Sequence, residues 1–182
     1  SAALRESEIK QTGSDFAIIR VNELVTHIQI VRDGHIREIG TIPTGLNAIL
    51  MKISHEFSAT LEASADILNL FLKKQLEQKY TDTLEKILSE TLGEWRKGIK
   101  DFSAEIITSG KFPSHVFLSS PTAASELYRS HLLADDYLDL TMSEKELTVD
   151  ILDRSSLNEF IDIDASLEKR EPGFITKLVA MM

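Results

Sequence analysis

The sequence predicts an α/β fold: a three-stranded meander followed by helices and further strand–helix units. Three observations predict it. From Phe16 to Pro43, apolar and polar residues alternate at the period of a strand, interrupted by two tight turns. From Leu46 to Ile107 the apolar residues recur at the period of a helix. Beyond Pro113, the run His115-Val116-Phe117-Leu118 returns to strand chemistry just before another helix start.

Each element has its own justification. Phe16 to Val21 is the first strand, and Val25 to Arg32 the second. In the second, Val25, His27, Gln29 and Val31 share one face, and Thr26, Ile28 and Ile30 share the other. Asp33-Gly34 is a hairpin turn, because such turns need positive φ and glycine supplies it without a steric cost. His35 to Pro43 is the third strand. After Gly45, Ile49, Ile53 and Phe57 recur every four residues, with Leu46 and Leu50 beside them, which makes a helix. Ser58 to Lys74 is a second helix, striped by Leu61, Ala65, Leu68 and Leu72. Thr81 to Ile107 is the longest, with Leu84, Ile87, Leu88, Thr91, Leu92, Trp95, Ile99, Phe102 and Ile106 on one face. Gly93 and Gly98 weaken this helix and are places for it to bend, and Thr108-Ser109-Gly110 ends it.

His115 to Leu118 reads as a buried strand, added beside the first strand of the meander. Ser119-Ser120-Pro121-Thr122 offers capping hydroxyls and a first-turn proline for a helix from Ala123 to Leu132. Tyr137 to Leu140 is a further short strand. Glu146 to Leu152 fits a strand or an extended loop, and Leu157 to Ile163 fits no single element. Pro172 opens a last helix through Phe174, Leu178 and Met181. Residues 1–14 are polar and without periodicity, so a flexible N-terminal segment is expected, followed by one lobe over residues 15–182. The chain is expected to be a fragment of a longer protein.

Composition excludes several function classes. A net charge of −9 and the lack of a compact Lys/Arg run argue against nucleic acid as a partner. With no cysteine, neither a disulfide nor a thiolate metal site can form. No apolar run is long enough to cross a bilayer, and no signal peptide is visible, which fits a cytoplasmic protein. The five histidines His27, His35, His55, His115 and His131 show no metal-ligand spacing. Asp135, Asp136 and Asp139 sit in a polar turn, where solvated charge is the simpler reading than acid–base chemistry. Ser119-Ser120 lacks the glycines of a nucleophile elbow. Trp95 belongs to the apolar stripe of the long helix and reads as core. No catalytic residue and no metal ligand are assigned.

The order of these pieces resembles one family. Thr26, Ile28, Ile30, Val31, Arg32, Asp33 and Gly34 match the downstream half of a hairpin that reads Asp-Ile-Gly-Gly-x-Thr-Thr-x-Ile-x-Leu-Val-Arg-Asp-Gly. Gly40-Thr41-Ile42-Pro43-Thr44-Gly45-Leu46-Asn47 is similar to the strand end and glycine turn that follow it. Ser64-Ala65-Asp66-Ile67-Leu68-Asn69 is similar to an Ala-Glu-x-x-Lys helix segment, and Leu88 to Ile106 to the long helix. Val116-Phe117-Leu118-Ser119-Ser120 stands where an apolar strand ends in Gly-Gly, and Glu171-Pro172-Gly173-Phe174 resembles the start of a closing helix. Together these resemble the C-terminal lobe of the actin-like (ribonuclease H-like) ATPases. The nearest branch is that of the FtsA- and PilM-like proteins of bacterial cell division and pilus assembly.

The resemblance implies an actin-like lobe and places the degenerate nucleotide-site positions at Asn22, Glu23, Thr26, Asn69, Ser119 and Ser120. Arg20 stands where the family has the aspartate that organises metal and water, and it cannot hold Mg²⁺. Asn22 and Glu23 replace two glycines, although a phosphate loop needs close backbone approach. Ser119-Ser120 replaces Gly-Gly, and Asn69 replaces the helix lysine. The expectation is a non-catalytic scaffold or interaction module without a cofactor, working through protein partners, a membrane-associated assembly or self-association. The alternative is a working ATPase in which an N-terminal lobe supplies the phosphate loop and metal ligand for ATP and Mg.

Overall fold

The structure, a computed structural model, describes residues 15–105, 111–121, 124–134 and 146–152. Its strands are β1 (Phe16–Val21), β2 (Thr26–Arg32), β3 (His35–Ile42), β4 (His115–Ser119) and β5 (Thr148–Ile151). Its helices are α1 (Leu46–Phe57), α2 (Leu61–Leu72), α3 (Gln78–Glu105) and α4 (Ser125–Leu132). The segment from Glu146 to Leu152 resolves as the strand β5. The expected strand at Tyr137–Leu140, the unassigned stretch Leu157–Ile163, the C-terminal helix from Pro172 and the segment 1–14 lie outside the described residues.

The strands form one sheet in the order β3-β2-β1-β4-β5. The meander is antiparallel, with Ile19 opposite Ile28 and Ile28 opposite Gly40. β4 runs parallel to β1, with Leu118 beside Ile19, and β5 runs parallel to β4. The alternation read from the sequence decides the faces. Ala17, Ile19 and Val21, then Thr26, Ile28 and Ile30, then Val116 and Leu118, are buried on one side. Against them lie Ile49 and Ile53 of α1, the stripe from Leu84 to Ile99 of α3, and Tyr128 and Leu132 of α4, all in one apolar core. Parallel neighbours need a crossover, and right-handed crossovers that step the same way along a sheet put their helices on the same face.

Three local readings change. α3 runs unbroken through Gly93 and Gly98. A Cβ on Gly98 would lie 2.6 Å from Ile42 Cγ2, so that glycine sets how closely α3 approaches β3. The hydroxyls of Ser119 and Ser120 do not cap α4, whose N-cap is Ala124 with no side-chain cap bond. Ser120 Oγ instead lies 2.9 Å from Ser125 Oγ. In β3 the register slips, so that Ile30 faces Glu38 while Val31 faces Ile36, leaving Arg37 as the extra residue of a bulge in an edge strand.

Candidate functional site

The parallel strands β1 and β4 end together at one edge of the sheet. Ligand crevices of α/β folds form outside such carboxyl ends. Here the edge carries the β1–β2 turn, Asn22 to Val25, and Pro121, which follows β4 closely. These five residues line an open cleft of about 480 Å³.

The turn is built from its main chain outward. Val21 pairs with Thr26, and the Asn22 N–H donates to the Val25 carbonyl at 2.9 Å, closing a four-residue loop. The carbonyls of Asn22 and Glu23 point away from the hairpin, toward the start of α1. Asn22 O accepts from the Leu46 N–H at 3.0 Å, and Glu23 O from the Asn47 N–H at 2.8 Å. The Ala48 N–H goes to the Gly45 carbonyl at 3.1 Å. A helix start leaves its first N–H groups unpaired, and such groups commonly receive an anion. In α1 the first three are engaged by main-chain oxygens.

Gly45 makes this junction possible. Its φ of −130° suits any residue. A Cβ there would lie 2.4 Å from Asn22 O and 2.6 Å from Glu23 O, so the turn and the helix start meet only because position 45 has no side chain.

Thr26 fastens the turn from beneath. Its side chain is fully buried. Its hydroxyl donates to the Thr44 carbonyl at 2.7 Å and accepts from the Trp95 indole N–H at 2.9 Å. Trp95 is itself fully buried and meets the Tyr128 ring edge-on, 4.8 Å between centroids. Trp95 is therefore core, as its stripe implied. The sequence pattern gives no sign that its N–H is the partner of Thr26, because the two are 69 residues apart.

The predicted positions divide into two groups. Asn22 and Glu23 line the cleft, and Thr26 braces the floor of the turn. Ser119 ends β4 beside Arg20, and Ser120 pairs with Ser125; neither lines the cleft. Asn69 sits exposed on α2, and it too is absent from the lining. Arg20 lies between His27 on β2 and Ser119 on β4, on the face opposite the helices. Burial pulls its guanidinium below the ordinary value. Leu24, 70% exposed at the tip of the turn, is not among the site positions read from the sequence, and Pro121, read there as a first-turn proline, lies four residues before α4. An apolar residue inside a polar hairpin loop was the signal available for Leu24.

Two of the histidines bridge neighbouring strands. His27 Nδ1 lies 3.2 Å from Thr41 Oγ1 across the β2–β3 pair, and His115 Nε2 lies 3.0 Å from Asp150 Oδ2 across β4–β5. Among the described residues no three side chains are placed to hold a metal ion. Among the described residues, the cleft unites one carboxylate, one amide and three apolar side chains.

The chain has the actin-like fold. It superposes on the ethanolamine utilization protein EutJ from Carboxydothermus hydrogenoformans with a TM-score of 0.53 at 14% identity, covering 75% of this chain and 44% of that one. It superposes on the archaeal actin homologue Ta0583 with a TM-score of 0.53 at 10% identity, covering 86% and 48%. For a chain of the PilM–PilN type IV pilus biogenesis complex the TM-score is 0.50 at 14% identity, covering 72% and 38%. The chain thus spans less than half the length of each of these three. No protein-family model matches it, and no curated protein matches it by sequence. Among the described residues, no helix is long and apolar enough to cross a membrane.

Proposed function

We propose that this lobe is a non-catalytic actin-like scaffold or interaction module, of the kind that serves a bacterial cell-division or pilus-assembly machine, and that it has lost nucleotide binding. One observation carries the reading. The Asn22 and Glu23 carbonyls tie the β1–β2 turn to the first N–H groups of α1, and this turn is where the resemblance puts the two glycines whose N–H groups approach phosphate. Glu23 adds a negative charge beside that place, and nothing in the turn is glycine. In this reading the protein is cytoplasmic, peripheral to the inner membrane through its partners, and works by protein contacts. The PilM chain, similar in fold, comes from a complex with a second protein, which supports partnering as a use of this architecture.

Titration calorimetry with MgATP tests the proposal. The expected outcome is no heat of binding. Micromolar binding that disappears on substitution of Asn22 or Thr26 would overturn it.

A second reading rests on coverage. The three similar structures are each more than twice as long as the part this chain matches. A companion lobe could then supply the phosphate loop and the Mg²⁺ ligand, making the whole an ATPase. The same titration on the full-length protein separates the two readings, since only the second expects binding there.

A further inference from the structure

The rigidity of the β1–β2 turn bears on what the cleft receives. Its two central carbonyls are clamped to α1, its N–H at Asn22 closes the loop, and Thr26 pins its floor to Thr44 and Trp95. Yet its tip is a leucine held 70% exposed, next to Val25 and Pro121. An apolar side chain carried on a braced main chain asks for little backbone ordering when a partner covers it, and such anchors give binding its specificity. The cleft of about 480 Å³ is open to solvent on one side, a shape that accepts side chains from a segment laid across it. Among the described residues, its one charged lining residue is Glu23, an exposed carboxylate. That charge disfavours anionic groups at the mouth and favours a cation.

We infer that this mouth docks a segment of a protein partner carrying an aliphatic side chain next to a lysine or arginine. The aliphatic group packs on Leu24, Val25 and Pro121, and the cation meets Glu23. This rests on the non-nucleotide reading of the same edge and names the partner chemistry it leaves open.

A random linear peptide library displayed on phage, selected against the full chain, provides the test. The enriched peptides are expected to share an aliphatic residue adjacent to Lys or Arg. For such a peptide, Leu24→Asp should weaken binding by about tenfold or more. Glu23→Lys should weaken it by about threefold, and less at high salt. Leu24→Met should keep most of the affinity, because the apolar volume is conserved. Both tip residues are exposed, so unchanged thermal melts will show that the variants fold. No enrichment, enrichment of acidic peptides, or full affinity in Leu24→Asp would each overturn the inference. MgATP titrated into the same preparation reads the other proposal separately: heat there sinks the loss of nucleotide binding, whereas the peptide result stands or falls alone.

Discussion

The meander has two tight turns, one at each end of β2, and they are held in opposite ways. Asp33-Gly34 is set by its own residues. Both have positive φ, 52° and 74°, and a Cβ on Gly34 would meet nothing within 4 Å. The Asn22–Val25 turn is set by its surroundings: the start of α1, the space above Gly45, and the hydroxyl of Thr26 beneath. One glycine is required for conformation and the other for room. A turn of the first kind is interchangeable between proteins. A turn of the second kind fixes a surface relative to the rest of the molecule, as a docking edge must.

The largest effect expected from this contrast comes from Gly45→Ala. The new methyl would collide with main-chain oxygens of Asn22 and Glu23, which have no rotamer to escape into. Turn and helix must part, releasing the two hydrogen bonds between them. A loss of about 3 kcal/mol in urea unfolding is expected. A loss below that of the Gly34 variant would break the contrast.

Thr26→Val should follow, at about 2 kcal/mol. The methyl fills the hydroxyl's volume but leaves the buried indole N–H of Trp95 and the Thr44 carbonyl without their partner. Trp95 is the only tryptophan, so its fluorescence reports the change directly. Thr26→Ser should restore most of the stability, which a purely steric role of Thr26 would not predict.

These two residues mark the limit of what sequence could show. The strands, the Asp33-Gly34 turn and the buried face of β2 follow from local alternation and glycine chemistry, and β4 was correctly placed beside β1. The helix bounds moved by a few residues, because fraying ends depend on packing. The family resemblance names Asn22 and Glu23 as degenerate nucleotide-site positions, and the structure places both in the lining of the cleft. Neither Leu24 nor Pro121 is legible as a lining residue, because a cleft is a property of two chain segments brought together. Nor does any local pattern tell that Gly45 faces two carbonyls from a turn more than twenty residues earlier, or that Thr26 bridges to α3. Ser119 and Ser120 do not act as caps, because the helix begins at Ser125, two residues beyond the expected Ala123.

Gly34→Ala is expected to cost about 1 kcal/mol, the strain of an alanine at positive φ. Gly34→Asn should cost less, because asparagine tolerates the left-handed region. Neither should alter Trp95 fluorescence or peptide binding at the mouth. A change in either readout would mean that the two turns are coupled through β2, and the contrast would fail.

The smallest effect reaches the tertiary-set turn through its supports. His131 lies on α4, three residues after Tyr128, whose ring packs against Trp95. Burial holds the imidazole below its ordinary value of 6.5; a hydrogen bond to the Leu127 carbonyl opposes this, and the nearby charge of Arg96 adds to it. The sign of the linkage follows. Above pH 6.5 the imidazole is neutral in both folded and unfolded chains, and its contribution is fully present. As pH falls below 6.5 the unfolded chain takes up the proton first, so stability declines until the folded form also titrates. His131→Gln should flatten that part of the curve, read as urea midpoints at about pH 7.5 and about pH 5.5. Acid should then lower the midpoint of the parent chain more than that of the variant. If the parent's midpoint rises on acidification relative to the variant's, His131 is favoured charged in the fold, and α4 supports the Trp95–Thr26 brace by attraction instead of by burial.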